Sequence, residues 1–346
     1  MAGIVGYGVY IPKPRLKVED PTRVWAGSAA AREARGEKSI CAADEDIITM
    51  AVDASEKAIR HAGIDPSQIG AMYIGTSSSP YIERTLSPVL AEALEMSPET
   101  TMIDYCGSLN AAAMALLGCL DAIEAKRIRY GVVVGTEDRA TAPGSEGEVS
   151  FGAGAAAFVI GTEKTIADIE GVHTYSTLVT DRWRSTSDPT VSNYFDYRFD
   201  REYGYQKHVV EASKGLMEKL QRKGEDFTYV VFQQPDPRLP GLAARSLGVK
   251  REQLASGTII PLFGDLGSSS AFVGLAAVLD KAKPGESILL SSYGSGSSNA
   301  FSMIVRDEID KKRENVIPVE KYLKRKEYID YPTYLKWTEA IKRAAY

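Results

Sequence analysis

Short apolar runs alternate with helix-like segments along the whole chain. In residues 44–61 the apolar side chains recur every three or four positions, which predicts a helix with one buried face. Residues 108–125 are apolar almost all round and predict a central buried helix. Further helices are predicted at residues 86–94, 208–223, 239–247 and 269–282, and strands at residues 4–11, 71–75, 101–105, 129–135, 153–160, 228–233, 287–293 and 300–305. Strands that alternate with helices predict an α/β architecture with buried sheets.

Two segments do not follow this alternation. Residues 181–205 are polar and aromatic without a helix or strand period. Long loops inside a compact domain are often functional, so two interpretations stay open, a substrate-covering loop and a plain surface excursion. Residues 307–346 carry many Lys, Arg and Glu side chains together with Tyr and Trp337. We interpret them as an appended, solvated surface segment.

Length and composition describe an ordinary globular protein. The chain has 346 residues, 44% of them hydrophobic, and a net charge of −5, and it is long enough for two domains with their own cores. The acidic balance argues against a nucleic-acid partner, because phosphate contacts need a basic face. No window approaches the roughly 18 apolar residues of a membrane helix, and the N-terminus lacks the pattern of a signal peptide. We therefore expect a cytoplasmic protein without membrane contact.

Cysteine and histidine are scarce, with three of each. An odd cysteine count without a C-x-x-C pair argues against a disulfide framework and against a metal site in this chain. Cys106 differs from Cys41 and Cys119 because it follows a predicted strand directly and precedes the predicted helix at 108–125. A helix N-terminus lowers the pKa of a thiol. The residues alone leave two interpretations of Cys106 open, a nucleophile and an inert junction residue.

A series of motifs gives the chain a specific resemblance. In order along the sequence they are Asp104-Tyr-Cys-Gly-Ser, Val134-Gly-Thr-Glu-Asp, Phe151-Gly-Ala-Gly-Ala-Ala-Ala, Val231-Phe-Gln-Gln-Pro, Gly264-Asp-Leu-Gly-Ser-Ser and Tyr293-Gly-Ser-Gly. This order resembles the thiolase superfamily, in particular the archaeal type of hydroxymethylglutaryl-CoA synthase, with ketoacyl-ACP synthase III more distant. The resemblance covers nearly the whole chain.

The resemblance implies a fold and an assembly. The fold is a thiolase-like α/β sandwich of five layers, αβαβα, made of two similar halves that each hold a mixed five-stranded sheet. We expect the first half at residues 1–165, with the nucleophile, and the second at residues 166–346, with the insert at 181–205 and the charged tail. The implied assembly is a homo- or hetero-oligomer with thiolase-like subunits. A zinc-ribbon OB-fold partner that helps to hold CoA would carry any zinc.

The resemblance also assigns site residues. Cys106 matches the cysteine that accepts an acyl group from acyl-CoA, which is the implied substrate, and no permanently bound cofactor is implied. Lys207, Lys214 and Arg184 lie in segments that match the family and are expected to contact CoA.

Three further site positions depart from the family. The glutamate that takes a proton from the acetyl group falls on Ser77, the histidine that polarises the attacked carbonyl falls on Gln233, and the asparagine that supports the site falls on Asp265. Serine cannot act as a carboxylate base near neutral pH, and a glutamine amide donates a hydrogen bond but exchanges no proton. Asp265 could accept a hydrogen bond from Gln233 or orient water. Losing one general base costs about 10²–10⁴-fold in rate.

Three functional hypotheses follow. The first is an acyl-CoA-dependent acyltransferase that acts within a complex and forms or breaks a C–C bond through an acyl-Cys106 thioester. Its acceptor, such as a phenol or enol, would need little help from a base. The second is a catalytically quiet structural subunit of a heteromeric thiolase-like complex. The third is a hydroxymethylglutaryl-CoA synthase with an unusual site. The retained Cys106 favours the first hypothesis over the second, and the missing base argues against the third.

Overall fold

The computed structural model describes residues 1–25, 36–193 and 196–342. In these ranges the strands are β1 (Gly3–Tyr10), β2 (Pro14–Lys17), β3 (Glu37–Ser39), β4 (Ile69–Thr76), β5 (Thr101–Cys106), β6 (Tyr130–Glu137), β7 (Gly154–Gly161), β8 (Ala167–Ser176), β9 (Arg182–Trp183), β10 (Ser192–Asn193), β11 (Tyr229–Phe232), β12 (Ser287–Gly294), β13 (Ser297–Val305) and β14 (Glu327–Tyr328). The helices are α1 (Glu19–Val24), α2 (Ile47–Ala62), α3 (Ser87–Ala93), α4 (Ala111–Glu124), α5 (Glu146–Ser150), α6 (Tyr197–Glu202), α7 (Tyr205–Leu220), α8 (Leu239–Ser246), α9 (Arg251–Ala255), α10 (Ile260–Phe263), α11 (Ser270–Leu279), α12 (Glu308–Lys312), α13 (Val319–Lys324) and α14 (Tyr331–Trp337). None of the helices in the described ranges has both the length and the apolar character needed to cross a membrane.

One mixed sheet of nine strands organises the chain, in the order β11-β12-β13-β8-β1-β7-β6-β4-β5. In the first half, β4 runs parallel to β5 and β6, whereas β7 is antiparallel to both β6 and β1. The second half repeats this arrangement, because β11 runs parallel to β12 and β13 is antiparallel to both β12 and β8. Strands β1 and β8 join the halves through the pairs Gly3–Asp168 and Ile4–Ala167.

The second half differs from the expected sheet by one strand. Within the described residues its part of the sheet holds four strands, and β11 lies at the edge. The resemblance implied five, so the strand count is wrong for this half. Strand β5, which carries Cys106 in the first half, has no counterpart among the described residues of the second.

The helices complete a five-layer sandwich. Helix α4 packs on β4 and β6, and α11 packs on strands of both halves, so these two helices form the central layer. One apolar cluster contains the inward-facing side chains of both parts of the sheet together with α4 and α11. Helix α2 covers the other face of the first half, and α7 covers that of the second. This arrangement confirms the thiolase-like αβαβα fold.

Helix α4 begins later than predicted. Its first residue is Ala111 instead of residue 108, and Asn110 is the N-cap residue. The Asn110 side chain donates a hydrogen bond from Nδ2 to Oδ1 of Asn299, at 2.6 Å, and another to Oγ of Ser297, at 3.1 Å. The start of α4 is thereby tied to β13 of the second half. Cys106 consequently lies outside the first turn of this helix.

The charged tail is not the solvated segment that its composition suggested. Strand β14 runs parallel to β2, and the tyrosines of α14 are buried in a small cluster with Leu16 and Ile40. The Tyr331 hydroxyl donates to Oε1 of Glu148 at 2.7 Å and accepts from Nε1 of Trp25 at 2.8 Å. The tail therefore returns to the first half and packs there.

The insert at residues 181–205 has secondary structure where it is described. Strands β9 and β10 form a hairpin, and α6 follows, while residues 194 and 195 lie outside the described ranges. Asp181 is buried and accepts a hydrogen bond from the Tyr293 hydroxyl at 2.9 Å. The insert thus begins against the end of β12.

Candidate functional site

Cys106 is the last residue of β5. Its side chain is exposed, whereas Cys41 and Cys119 are buried. Strands β4 and β5 are parallel, and Thr76 at the end of β4 pairs with Cys106. Ser77 is the next residue after Thr76 and therefore lies at the same sheet edge as the cysteine. The structure therefore brings two of the predicted site residues together.

The Cys106 thiol has the opposite electrostatic environment from the one predicted. Partial burial raises the pKa of this thiol, and the carboxylates of Asp104 and Glu137 raise it further. A helix N-terminus does not offset these effects, because α4 begins only at Ala111. The sequence-based expectation of a lowered thiol pKa is therefore wrong. At neutral pH the protonated thiol predominates.

Asp104 has a structural task. One of its carboxylate oxygens accepts a hydrogen bond from the backbone N–H of Leu86, and the other accepts from the N–H and hydroxyl of Ser87, at 3.0 and 2.6 Å. These bonds satisfy free donors at the start of α3. The negative charge of Asp104 affects the thiol, but both of its oxygens are engaged in hydrogen bonds at the start of α3.

Glu137 is the site residue that sequence reasoning missed. It is the last residue of β6 and is fully buried. Its Oε1 accepts from the backbone N–H and the hydroxyl of Ser77, at 3.1 and 3.0 Å, and its Oε2 accepts from the N–H of Ser268 at 2.9 Å. The signal was available, because Val134-Gly-Thr-Glu-Asp belonged to the resemblance and β4 and β6 end at one edge. A carboxylate is therefore hydrogen-bonded to the serine that occupies the family glutamate position.

Gly267 connects the first-half and second-half parts of the site. Its backbone carbonyl accepts from Nε2 of Gln233 at 2.6 Å, and its N–H donates to Oδ1 of Asp265 at 2.9 Å. A Cβ at this position would lie 2.4 Å from Cγ of Glu137, and the backbone has a φ of +55°. Glycine is required on both counts.

Gln233 replaces the expected imidazole in a fully buried position. Its side chain donates to the Gly267 carbonyl, and its Oε1 accepts from the Ser292 hydroxyl at 3.4 Å. The Tyr205 hydroxyl holds its backbone carbonyl at 2.6 Å. An amide nitrogen has two hydrogens, so one donor remains beyond the bond to Gly267. The site keeps a hydrogen-bond donor but no proton-exchanging group at this position.

Asp265 is neutralised by arginine. Its Oδ2 lies 2.7 Å from Nη2 of Arg139 and 3.3 Å from Nη1 of Arg182. Burial alone would raise the pKa of this carboxyl, but the two guanidinium groups and the Gly267 N–H outweigh it and lower the pKa. Asp265 accepts from Gly267, not from Gln233 as one sequence interpretation had it. It is a fixed anion in an ion-pair cluster.

The turn after β12 covers the residues that follow Cys106. A Cβ on Gly294 would lie 2.4 Å from the backbone nitrogen of Asn110 and 2.5 Å from that of Leu109. The close approach of two backbones requires glycine here. The Tyr293-Gly-Ser-Gly motif therefore packs against the segment between Cys106 and α4.

The predicted CoA-contacting residues lie on two other elements. Lys207 and Lys214 on α7 line a surface groove of about 290 Å³ with Gln206, Val210 and Ser246 among its walls. Arg184 is exposed just after β9. Within the described residues, none of these three cations has a hydrogen bond or ion pair with the other site residues, which are Ser77, Glu137, Gln233 and Asp265.

Solved structures with this fold include two kinds of enzyme. An MvaS in complex with 3-hydroxy-3-methylglutaryl coenzyme A matches with a TM-score of 0.85 at 18% identity, over 98% of this chain and 91% of that one. The 3-oxoacyl-[acyl-carrier-protein] synthase III of Aquifex aeolicus matches with a TM-score of 0.75 at 21% identity, over 88% of this chain and 100% of that one. At these identities the likeness establishes the fold alone.

Sequence relatives are more specific, although no protein-family model matches the chain. The chain is 40% identical over 347 residues to the hydroxymethylglutaryl-CoA synthase of Methanocaldococcus jannaschii, an alignment that spans 99% of this chain and 100% of the relative. It is 40% identical over 349 residues to that of Methanothermobacter thermautotrophicus, with 99% and 100% coverage. The relative from Methanopyrus kandleri is 38% identical over 344 residues, with 98% coverage of each chain. The chain therefore belongs to the hydroxymethylglutaryl-CoA synthase family of acyltransferases.

Proposed function

We propose that this protein is an acyl-CoA-dependent acyltransferase that forms or breaks a C–C bond through a thioester on Cys106. The observation that carries the proposal is the exposed Cys106 side chain at the edge where β4, β5 and β6 end, in a chain that belongs to this family. A nucleophile at such an edge is open to an acyl-CoA thioester while buried polar groups surround it.

The first half-reaction transfers the acyl group. The Cys106 sulfur attacks the thioester carbonyl of acyl-CoA, the bond from that carbonyl to the CoA sulfur breaks, and CoA leaves as a thiol with the proton that Cys106 gives up. Because the pKa of the Cys106 thiol is raised, the thiolate fraction and hence the acylation rate are expected to increase with pH above neutrality. The spare amide hydrogen of Gln233 is available for an oxyanion in the second half-reaction.

A second candidate has specific support. The relatives at 40% identity are named hydroxymethylglutaryl-CoA synthase, which favours condensation of an acetyl group on Cys106 with acetoacetyl-CoA. The first candidate, transfer to an enol or phenol that is already activated, fits the absence of a carboxylate at Ser77. The acceptor distinguishes the two, and the thioester on Cys106 is common to both.

Binding of CoA and of partners belongs to the same proposal. Lys207, Lys214 and Arg184 would contact the CoA phosphates, since exposed cations suit a phosphate ligand. Charge reversal at Lys207 and Lys214 is expected to raise KM for acyl-CoA severalfold with little change in kcat. A zinc-ribbon OB-fold partner would assist CoA binding, and adding it should lower that KM.

The edge strand β5 supports self-association. It is the last strand of the nine-stranded sheet, and Ile103 on it is 38% exposed. An unpaired apolar edge strand is a template for a second strand. We expect a dimer in solution that Ile103→Lys converts to monomers, measured by light scattering; a monomeric wild type would contradict this part of the proposal.

The central experiment is detection of the acyl-enzyme. Purified protein is mixed with acetyl-CoA and other short acyl-CoAs, and its intact mass is measured. An adduct is expected in the wild type and in Cys41→Ser, the matched control at a buried cysteine, and it should vanish in Cys106→Ser. With acetyl-CoA in excess, acetoacetyl-CoA is then added. Condensation followed by hydrolysis frees Cys106 for renewed acylation, so a continued release of free CoA that depends on acetoacetyl-CoA separates condensation from transfer to another acceptor. No adduct with any acyl-CoA would overturn the proposal in favour of a quiet structural subunit.

A further inference from the structure

We propose that Glu137, acting through the Ser77 hydroxyl, accepts the proton that leaves the α-carbon of an acyl group held on Cys106. The inference rests on the proposed function, because it requires the acyl-Cys106 thioester, and it concerns the second candidate, in which that acyl group is condensed with a carbonyl acceptor. It names a proton acceptor in a site where the position of the family glutamate is occupied by serine.

The hydrogen bond between the Ser77 hydroxyl and Oε1 of Glu137 gives the proton a path from the acyl group to the carboxylate. Ser77 follows directly after Thr76, which pairs with Cys106, so its hydroxyl lies at the edge that carries the thioester. The Ser77 hydroxyl donates to Oε1 of Glu137 at 3.0 Å, and the Ser77 N–H holds the same oxygen at 3.1 Å. The hydroxyl can give its proton to the carboxylate and take one from the α-carbon at the same time. Ser77 and Glu137 together thereby take over the proton transfer that a single glutamate performs in the family.

The charges around the two buried carboxylates assign them different roles. Within the described residues Glu137 has no ion pair with Lys or Arg, and its partners are neutral N–H and O–H groups of Thr76, Ser77 and Ser268. Asp265 is paired with two guanidinium groups. Two guanidinium groups hold Asp265 in its charged form, which makes it a poor base, whereas Glu137 has no such cation within the described residues. Glu137 is therefore the base of this site and Asp265 is not.

The influence of Glu137 on the thiol fits this order of steps. Its negative charge disfavours a thiolate at Cys106, but an acylated sulfur is neutral and removes that conflict. Proton transfer then converts the acyl group to its enolate and Glu137 to the carboxylic acid, with the electron pair of the C–H bond left on the enolate. Attack of the enolate on a carbonyl forms the C–C bond and breaks the π bond of that carbonyl, and the resulting alkoxide takes up the proton that Glu137 holds.

The test is hydrogen exchange in the acyl-enzyme. Full-length protein is acetylated with acetyl-CoA in deuterated water, and the mass of the Cys106 peptide is followed with time. The wild type is expected to take up deuterium in the acetyl group. Ser77→Ala and Glu137→Gln should both form the adduct but exchange at least about 10²-fold more slowly, and Glu137→Asp should restore part of the rate.

Asp104→Asn is the matched control, because Asp104 also raises the pKa of the Cys106 thiol but, within the described residues, its carboxylate accepts hydrogen bonds at the start of α3 and none from Ser77. In both Glu137→Gln and Asp104→Asn the pH midpoint of iodoacetamide alkylation of Cys106 should move down, whereas Ser77→Ala should leave it in place. Exchange should be lost in Glu137→Gln and kept in Asp104→Asn. A structural defect would not produce this pattern.

The outcomes separate the two proposals. Adducts that exchange in Glu137→Gln and Ser77→Ala at the wild-type rate would overturn the role of Glu137 and leave the acyl-Cys106 proposal standing. An adduct that never exchanges in the wild type would do the same. If no adduct forms in any variant, the proposed function fails and this inference fails with it. Should Glu137→Gln not fold, Ser77→Ala alone decides, because it leaves the carboxylate in place.

Discussion

Asp265→Asn is expected to destabilise the protein by about 3–5 kcal/mol, although asparagine is the residue that the family resemblance implies at this position. Asp265 is fully buried and Arg139 is 6% exposed, with 2.7 Å between their Oδ2 and Nη2 atoms. The substitution removes the negative charge and leaves the guanidinium charge in the interior. Removal of one partner of a buried ion pair costs more than the pair itself contributes.

Three contacts determine this magnitude. Nε and Nη1 of Arg139 have no hydrogen-bond partner within the described residues, so the contact with Asp265 is the main compensation for burial of the charge. The guanidinium also lies over the ring of Phe151 at 3.6 Å, which contributes about 2 kcal/mol at a desolvated site and persists in the variant. Arg182, whose side chain is 22% exposed, is expected to turn toward water at a cost of about 1 kcal/mol or less.

The assay is urea unfolding of a double-mutant cycle. Asp265→Asn, Arg139→Met and the double variant are unfolded at pH 7, and the double variant is expected to recover at least about 2 kcal/mol of the summed losses. The pH dependence gives a second readout. The pKa of Asp265 is lowered in the folded protein, so its stabilisation is present above the unfolded value of about 3.9 and is lost as the pH falls through the folded value. If Asp265→Asn unfolds at the wild-type urea concentration, the ion-pair argument is refuted.

Three further predictions concern other contacts. Gly267→Ala should lower the thermal midpoint and slow adduct formation, because its Cβ would lie 2.4 Å from a buried side-chain carbon; Gly241→Ala, at an open helix position, should do neither. Burial lowers the pKa of His61 to about 4, so the free energy of unfolding measured by urea titration should fall by about 3 kcal/mol between pH 7 and 4. His61→Gln should largely abolish this loss, and equal acid sensitivity in that variant would count against the assignment. Tyr331→Phe should cost about 1–3 kcal/mol by leaving a buried carboxylate oxygen without its donor, whereas Tyr328→Phe, at a half-exposed side chain, should cost less than about 0.5; equal losses would contradict the packing of the tail.

The alternation of apolar runs was sufficient to predict the α/β class, but it failed at element ends that carry polar residues. Strand β6 is predicted at residues 129–135 but continues to Glu137. The prediction stops too early because the apolar pattern ends before the buried carboxylate. The residue that most changes the site was lost in this way. The prediction for the tail was wrong for a related reason, since its buried tyrosines pack against Leu16 and Ile40, far away in the sequence.

The candidate site was predictable in its positions but not in its chemistry. The resemblance assigned Ser77, Gln233 and Asp265, and the structure brings all three around Gly267 and Glu137. The resemblance named the segment of Glu137 but not its contact with Ser77, because the contacts join residues 60 positions apart for Ser77 and 126 apart for the Asp265 carbonyl that Arg139 contacts. Whether a replaced residue removes a function or belongs to a different working site depends on side chains that meet it only in the folded state.

The way in which the departures are compensated bears on whether the subunit is active. Asp265 is accompanied by Arg139 and Arg182, which neutralise the charge that replaced a neutral amide. Ser77 is accompanied by Glu137, a carboxylate whose burial without a cation costs several kcal/mol before hydrogen bonds offset it. A subunit kept for assembly needs only stability, and an apolar side chain would serve that purpose better than an unpaired anion. A buried carboxylate that has no cation partner within the described residues, at the sheet edge of an exposed cysteine, therefore favours a working acyltransferase over a quiet structural subunit.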